Sequence, residues 1–232
     1  MTWQMKDSDM DPKWTEDMWN KFPCQMIVDA NGAENGNYRT GPVRGSFLNI
    51  LTRSPVKSQK DGSSIGGKFG GTALFPVAAD ILLLGSAAKA LALTKWPDYG
   101  KTDEAGNNIG PKLKSPFNQQ GEKMAFEGYT AGGICITAVA DQRAPYAVNT
   151  QGVPITDEAL LYPGAWYFFV LRPFLYDVGV NKGVSFGLQG VMKIADDRNV
   201  GGGGGSNPAS DFAGVQIDTS AQAAAINPAG LF

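Results

Sequence analysis

Histidine is absent from all 232 residues of the chain. That excludes Ser-His-Asp and Cys-His nucleophilic sites and every zinc or iron constellation that needs an imidazole. Cysteine is nearly absent: Cys24 and Cys135 stand far apart, form no CxxC or zinc spacing, and read as buried or free thiols of a reducing compartment. Long apolar runs are missing as well. The most apolar stretch, Val77 to Leu93, is broken by Asp80 and Lys89 and falls short of the roughly 20 residues that span a bilayer. The acidic start MTWQMKDSDMDPKWTEDMW has neither a basic n-region nor an apolar h-region, so no secretory signal is expected. Carboxylates are dispersed rather than clustered, and the expectation is a protein with no catalytic residue, no metal and no cofactor. One nucleotide-like motif, GSSIGGK at Gly62 to Lys68, fails in detail. Phe69 stands where a Ser or Thr hydroxyl must hold magnesium, and the residues after the motif read as a strand instead of a phosphate-binding helix.

The residues that are present point to β structure. Thirty Gly and fourteen Pro beside 43% apolar residues fit many short strands joined by turns. Twelve Phe, seven Tyr and five Trp are more aromatics than a disordered chain contains. The net charge of −2 conceals an uneven distribution, because residues 38–123 carry 12 basic and 6 acidic side chains. A phosphate backbone senses that local excess within a Debye length, whatever the overall pI. A solvated lysine-bearing face is the bland alternative.

Three parts are expected along the chain: an acidic arm at 1–22, one domain at 23–200 and a flexible Gly/Ala-rich tail at 201–232. Met10, Trp14 and Met18 recur every four residues and predict a short amphipathic helix from Pro12 to Lys21, packing on the domain or on a neighbouring subunit. Strands are predicted at Cys24–Ala30, Val43–Thr52, Lys68–Phe75, Ala125–Tyr129, Ile134–Ala140, Trp166–Tyr176 and Val184–Ile194, with a hairpin site in NGAENGN. Val43, Phe47 and Leu51 take the core side of their strand, and Arg44 and Asn49 fall among its polar positions. One internal helix, Ala78–Leu93, carries the apolar stripe Ile81, Leu84, Ala88 and Leu91.

The most informative stretch is 154–194. It contains the P-I-T-D turn at Pro154 to Asp157, a Tyr-x-Gly step at Tyr162 to Gly164, an aromatic strand through Tyr176, and a K-G-x-x-x-G-L-x-x-V-x-K run from Lys182 to Lys193. In order and spacing this resembles the C-terminal half of a family of phage single-stranded-DNA-binding proteins built on the OB-fold, with a weaker match upstream to about Gly41. The resemblance implies a mainly β fold, a partly open five-stranded Greek-key barrel with one internal helix, extra strands and extensions at both ends. It also implies sequence-independent binding of single-stranded DNA in phage replication, recombination or repair, in the cytoplasm of an infected bacterium. A capsid or tail accessory protein without DNA binding is the alternative from another class.

Within that frame two loops of an OB barrel commonly contact oligonucleotides. The first would carry Arg53, Lys57, Lys60, Lys68 and Phe69, with Arg44 on the strand before it. The second would be bracketed by Tyr176 and Lys182, with Arg172 free to pair with phosphate or to stack on a base. The 96–123 segment interleaves Trp96, Tyr99 and Phe117 with Lys112 and Lys114. Those rings either stack on bases or anchor a long loop to the core. Phe168 and Phe169 are read as core or as covered by the helix or the arm. The chain ends in Leu231 and Phe232, as do tails that dock a terminal Phe on replication or recombination partners, although this tail has far less acidic charge than those. Self-association on DNA is a further expectation.

Overall fold

The computed structural model describes residues 8–54, 56–57 and 64–201. Lys60, Leu231 and Phe232, and the expected tail as a whole, lie outside the described residues. Helix α1 (Pro12–Lys21) starts where predicted, because Asp11 accepts the Lys13 N–H at 2.9 Å and proline fills the first turn, where no donor is needed. Its buried face holds Thr15 and Trp19, and the Trp19 indole donates to the Pro42 carbonyl at 2.7 Å.

The strands are β1 (Gln25–Val28), β2 (Glu34–Arg39), β3 (Val43–Asn49), β4 (Val56–Lys57), β5 (Ser64–Ile65), β6 (Phe69–Leu74), β7 (Asn118–Gln119), β8 (Ile134–Ala140), β9 (Tyr146–Val148), β10 (Trp166–Val178) and β11 (Asn181–Ala195). Five of them form a ring of pairings: β3 with β6, β6 with β8, β8 with β11, β11 with β10, and β10 with β3. Within the ring the β8–β11 pair is the parallel one, and outside it β9 also pairs parallel with β11. This is the strand order of an OB-fold. The ring is not closed into a barrel along its length, because the β3–β10 and β8–β11 seams are two residue pairs each. β1, β2, β7 and β9 extend the sheet outward, and β4 and β5 make a separate ribbon inside the β3–β6 connection.

Helix α2 (Leu82–Lys95) lies between β6 and β8 and buries Leu84, Ala88 and Ala92, one residue per turn. It begins four residues later than the sequence pattern predicts; Asp80 accepts the Leu82 N–H at 2.9 Å at the true start. The predicted strand at Ala125–Tyr129 is instead a set of turns after a short 3-10 helix at Gln120–Lys123, with Gly128 at a φ of 80°. The core is built from the inward alternates: Val43 of β3, Ala73 of β6, Ile136 and Ala138 of β8, Tyr167, Phe169 and Leu171 of β10, and Phe186 and Leu188 of β11. Each large apolar side chain fully buried there contributes about 1.5–3 kcal/mol.

The sequence pieces at 154–194 hold this frame together. Ile155 donates to the Ala147 carbonyl at 2.8 Å, and Asp157 caps the following 3-10 turn through the Ala159 N–H at 2.9 Å. Gly164 adopts a φ of 106°, and a Cβ there would collide with the Arg198 carbonyl, so only glycine fits the Tyr-x-Gly step.

Candidate nucleic-acid interface

The outer face of β3, β6 and β8 is set by register. Ser46 pairs with Thr72, and Thr72 with Thr137, so three hydroxyls form a row across three strands on the side away from the core. The Thr72 and Thr137 hydroxyls are 3.0 Å apart, and the Tyr129 hydroxyl donates to Ser46 at 3.4 Å. Burial pushes the Tyr129 phenol above its ordinary value. Beside this row β3 bulges between Ser46 and Asn49. Phe47 sits in the bulge with a φ of 48° and is 51% exposed, which corrects its expected place in the core. Its ring meets Phe126, itself 46% exposed, edge to face at 5.0 Å, and Phe126 in turn lies 5.9 Å from Tyr129. Sequence reasoning missed Phe47 and Phe126: alternation alone placed Phe47 inside, and Phe126 was read as part of a strand.

At the base of the β3–β6 connection, Arg53 donates to the Gly67 carbonyl at 2.9 Å and lies 4.8 Å over the half-buried Phe69 ring. It also donates to the Asp141 carbonyl and pairs with the Asp141 carboxylate at 3.8 Å, and Lys68 pairs with the same carboxylate at 3.4 Å. All three charged side chains are more than a third exposed. Such pairs contribute about 0–1 kcal/mol in water, so a phosphate can take the cations over at little cost. Lys57 lies on β4 in the same connection; its side chain, like all of Lys60, falls outside the described residues.

The β10–β11 hairpin offers a second surface. Arg172, Phe174 and Tyr176 alternate onto one face, and their cross-strand partners are Gly187, Ser185 and Gly183. Each large side chain therefore faces a small one, and Arg172 and Phe174 are exposed while Tyr176 is half-buried. Lys182 pairs across the strand with Asp177, near the turn. Lys114 runs alongside. Its N–H donates to the Lys182 carbonyl at 2.9 Å and its ammonium to Asn181 Oδ1 at 2.5 Å. Gly183 must be glycine for this approach, since a Cβ would enter the Lys114 backbone. Exposed Lys112 lies two residues away. The structure thus brings Tyr176, Lys182 and Lys114 together around Gly183, while Arg172 stands four residues back along β10 beside Gly36 of β2.

Two groups fall elsewhere. Trp96, Tyr99 and Phe117 are half-buried and pack on the core, with Phe117 6.0 Å from Phe186. Tyr99 and Phe117 line a 250 Å³ pocket against Ala88 and Ala92 of α2, which favours the anchoring alternative for these rings. Arg44 is completely buried, so its expected role at the DNA surface is corrected. Residues 196–201 fold over it, and its guanidinium donates to the carbonyls of Gly164 at 2.9 Å and Arg198 at 3.0 Å and pairs with Asp197 at 3.6 Å. Asp197 also accepts the Trp166 indole at 2.7 Å, the Ser8 hydroxyl at 2.6 Å and the Asp9 N–H at 2.8 Å. Burial works to raise this carboxyl. Hydrogen bonds from Ser8, Arg198 and Trp166, with the Arg44 charge, outweigh it and hold Asp197 below the usual carboxylate value.

The family model described as that of the single-stranded-DNA-binding protein of Enterobacter phage Enc34 matches residues 38–223. Among solved structures, the C-terminally truncated bacteriophage Enc34 single-stranded-DNA-binding protein superposes with a TM-score of 0.54 at 17% identity, over 75% of this chain and 98% of that one. The same phage protein in complex with single-stranded DNA gives 0.53 at 19% identity, over 78% and 99%. A further structure of the bacteriophage Enc34 single-stranded-DNA-binding protein gives 0.51 at 19%, over 76% and 89%. At these identities the superpositions establish a shared fold. No curated protein matches the chain in sequence.

Proposed function

Because the chain belongs to the family of the phage Enc34 single-stranded-DNA-binding protein, we propose that it binds single-stranded DNA without regard to sequence and without catalysis, protecting and organising it during phage replication, recombination or repair. The observation that carries this reading is the partly open OB ring with cations and rings set around it: Arg53, Lys68 and Phe69 at one loop, Arg172, Tyr176, Lys182, Lys112 and Lys114 at the other. Cations track the phosphates, whose counterions are released on contact, and rings accept any base because every base has a π-face. Lys57 and Lys60 of the same connection contribute further phosphate contacts, and residues 23–200 form the binding unit between the arm and the tail. Leu231 and Phe232 serve protein partners of the replication or recombination machinery, and neighbouring copies associate along the strand. The site of action is the cytoplasm of the infected host. No helix among the described residues is long and apolar enough to cross a membrane.

Fluorescence anisotropy with labelled single- and double-stranded oligonucleotides at two salt concentrations tests the reading. With about four phosphates neutralised, log affinity for the single strand should fall against log salt with a slope of about −3. A flat response, or equal preference for duplex, removes it.

A further inference from the structure

We propose that Asn35 modifies itself: the Gly36 backbone nitrogen displaces the Asn35 side-chain amide as ammonia, and the carboxylate left behind stands beside Arg172 of the DNA surface. The modification rests on local structure alone, and its effect on binding rests on the single-stranded-DNA reading above.

The chain has two Asn-Gly pairs, Asn31-Gly32 and Asn35-Gly36. Glycine leaves its own nitrogen uncrowded, so either asparagine is open to attack in an unfolded chain. The fold separates them. Asn31 and Gly32 lie in the turn between β1 and β2. There the Gly32 N–H donates to the Asp29 carbonyl at 3.0 Å, and the Asn31 and Ala33 N–H groups donate to the Asp29 carboxylate at 2.8 and 3.0 Å. The attacking nitrogen is engaged and the turn is braced. Asn35 lies instead in a bulge. Met26 pairs with Tyr38 and Val28 with Glu34, so Asn35, Gly36 and Asn37 stand opposite the single residue Ile27 and have no register partner in β1 or β10. Gly36 takes a φ of 75°, and Asn35 is exposed to water.

Inside the bulge the Asn37 N–H donates to Asn35 Oδ1 at 2.9 Å. That bond folds the side chain back along the backbone toward the Gly36 nitrogen and polarises the carbonyl under attack. Among the described residues, Asn108, Asn149 and Asn199 accept the same bond from two residues on, at 2.9, 2.9 and 2.8 Å. They precede Ile109, Thr150 and Val200, whose branched side chains crowd the next nitrogen. Asn35 combines the bond with a following glycine. In the reaction the Gly36 nitrogen gives its proton to solvent and bonds to Asn35 Cγ, and the Cγ–Nδ2 bond breaks as ammonia leaves with a proton from water. Water then opens the cyclic imide at either carbonyl, giving aspartate or its β-linked isomer. The sum is amide plus water to carboxylic acid plus ammonia, and nothing is oxidised or reduced.

The new charge falls at a sensitive place. A Cβ on Gly36 would lie 3.8 Å from Arg172 Nε and 3.9 Å from its Nη2, so the guanidinium reaches the bulge. A carboxylate one residue away pairs with that guanidinium and competes with phosphate for it.

The test ages the full chain in neutral and in mildly alkaline buffer, folded and in urea. A glutamate-specific protease then cuts between the two sites at Glu34, and mass spectrometry reads each. In the folded chain Asn35 should gain one mass unit about fivefold faster than Asn31, where attack must first break a net hydrogen bond. Conversion should quicken at alkaline pH, and in urea the two rates should converge. Equal rates in the folded chain, or a slower rate at Asn35, would overturn the modification. Asn35→Asp should bind oligo(dT) about fivefold more weakly near 0.1 M salt, with the salt slope shallower by about 0.7, the share of one phosphate. In an Arg172→Ala background that difference should vanish. If Asn35 converts but Asn35→Asp binds as the parent does, the link to Arg172 is wrong. If the parent does not bind oligo(dT), the single-stranded-DNA reading falls with that link, and the mass readout still decides the modification.

Discussion

Strand β10 has two halves with similar residues and opposite surroundings. In the first half, Trp166 to Leu171, the inward alternates Tyr167, Phe169 and Leu171 fill the core, and the outward ones are roofed by the N-terminal arm. Trp14 of α1 meets Trp166 edge to face at 5.6 Å, and Phe22, just past α1, meets Phe168 at 5.6 Å. In the second half, Arg172, Phe174 and Tyr176 point the same way but face glycine or serine across the strand, with Arg172 and Phe174 open to water. Aromatic content is thus no guide to a binding surface by itself. The deciding factor is whether another element lies on top, which is a property of chain positions more than a hundred residues away.

The comparison is broken most severely at the roofed end. Arg44→Ala should cost about 3–5 kcal/mol of stability in urea unfolding, since it strands the Asp197 carboxylate in the interior. DNA affinity should survive at temperatures where the variant stays folded. A surface role for Arg44 would give the reverse pattern. Next comes Phe168→Ala, expected to cost about 3 kcal/mol as a buried aromatic deletion, again with the DNA affinity kept. A marked fall in affinity would mean that the arm moves aside and the roofed half is used.

The same junction sharpens the contrast through pH. Folding holds the Asp197 carboxyl below its ordinary value of about 3.9. Its stabilisation is therefore complete above that pH and is lost as pH falls through the lower folded-state value. Asp197→Asn should be less stable near neutrality and show a flatter decline between about pH 5 and pH 2. Smallest in stability is Arg172→Ala at the open end, expected to stay within about 0.5 kcal/mol of the parent. It should weaken oligo(dT) binding and make the salt slope shallower by about 0.7, the share of one phosphate. An unchanged slope would assign Arg172 to stacking instead.

Local pattern carried much of the fold. The helix at Pro12–Lys21 and the strand at Ile134–Ala140 are found at their predicted bounds, because capping, period and β-branched content agree there. β2 escaped notice because Glu34 to Asn37 spell a turn, yet pairing with β1 and β10 makes them a strand. The site was less legible. Arg44 and Phe47 lie three residues apart, and each occupies the environment expected of the other. Residues 196–201 bury the arginine, and a bulge expels the phenylalanine. The first cause lies far along the chain, and the second is a break in the very alternation that a strand pattern assumes. The loop cations, by contrast, were visible as charge, since exposure is the ordinary state of Lys and Arg.

Asp197 has a consequence for the order of assembly. By holding Ser8 and Asp9 it joins positions 189 and 188 residues apart, and closing a loop of that length is entropically unfavourable until intervening structure shortens it. The clasp must wait for the five-stranded ring, so it belongs to the late, native-side steps of folding. Weakening it should speed unfolding more than it slows folding. In the native state its release would loosen only the residues ahead of α1, because Trp19, buried and bonded to the Pro42 carbonyl, still holds the helix on the sheet.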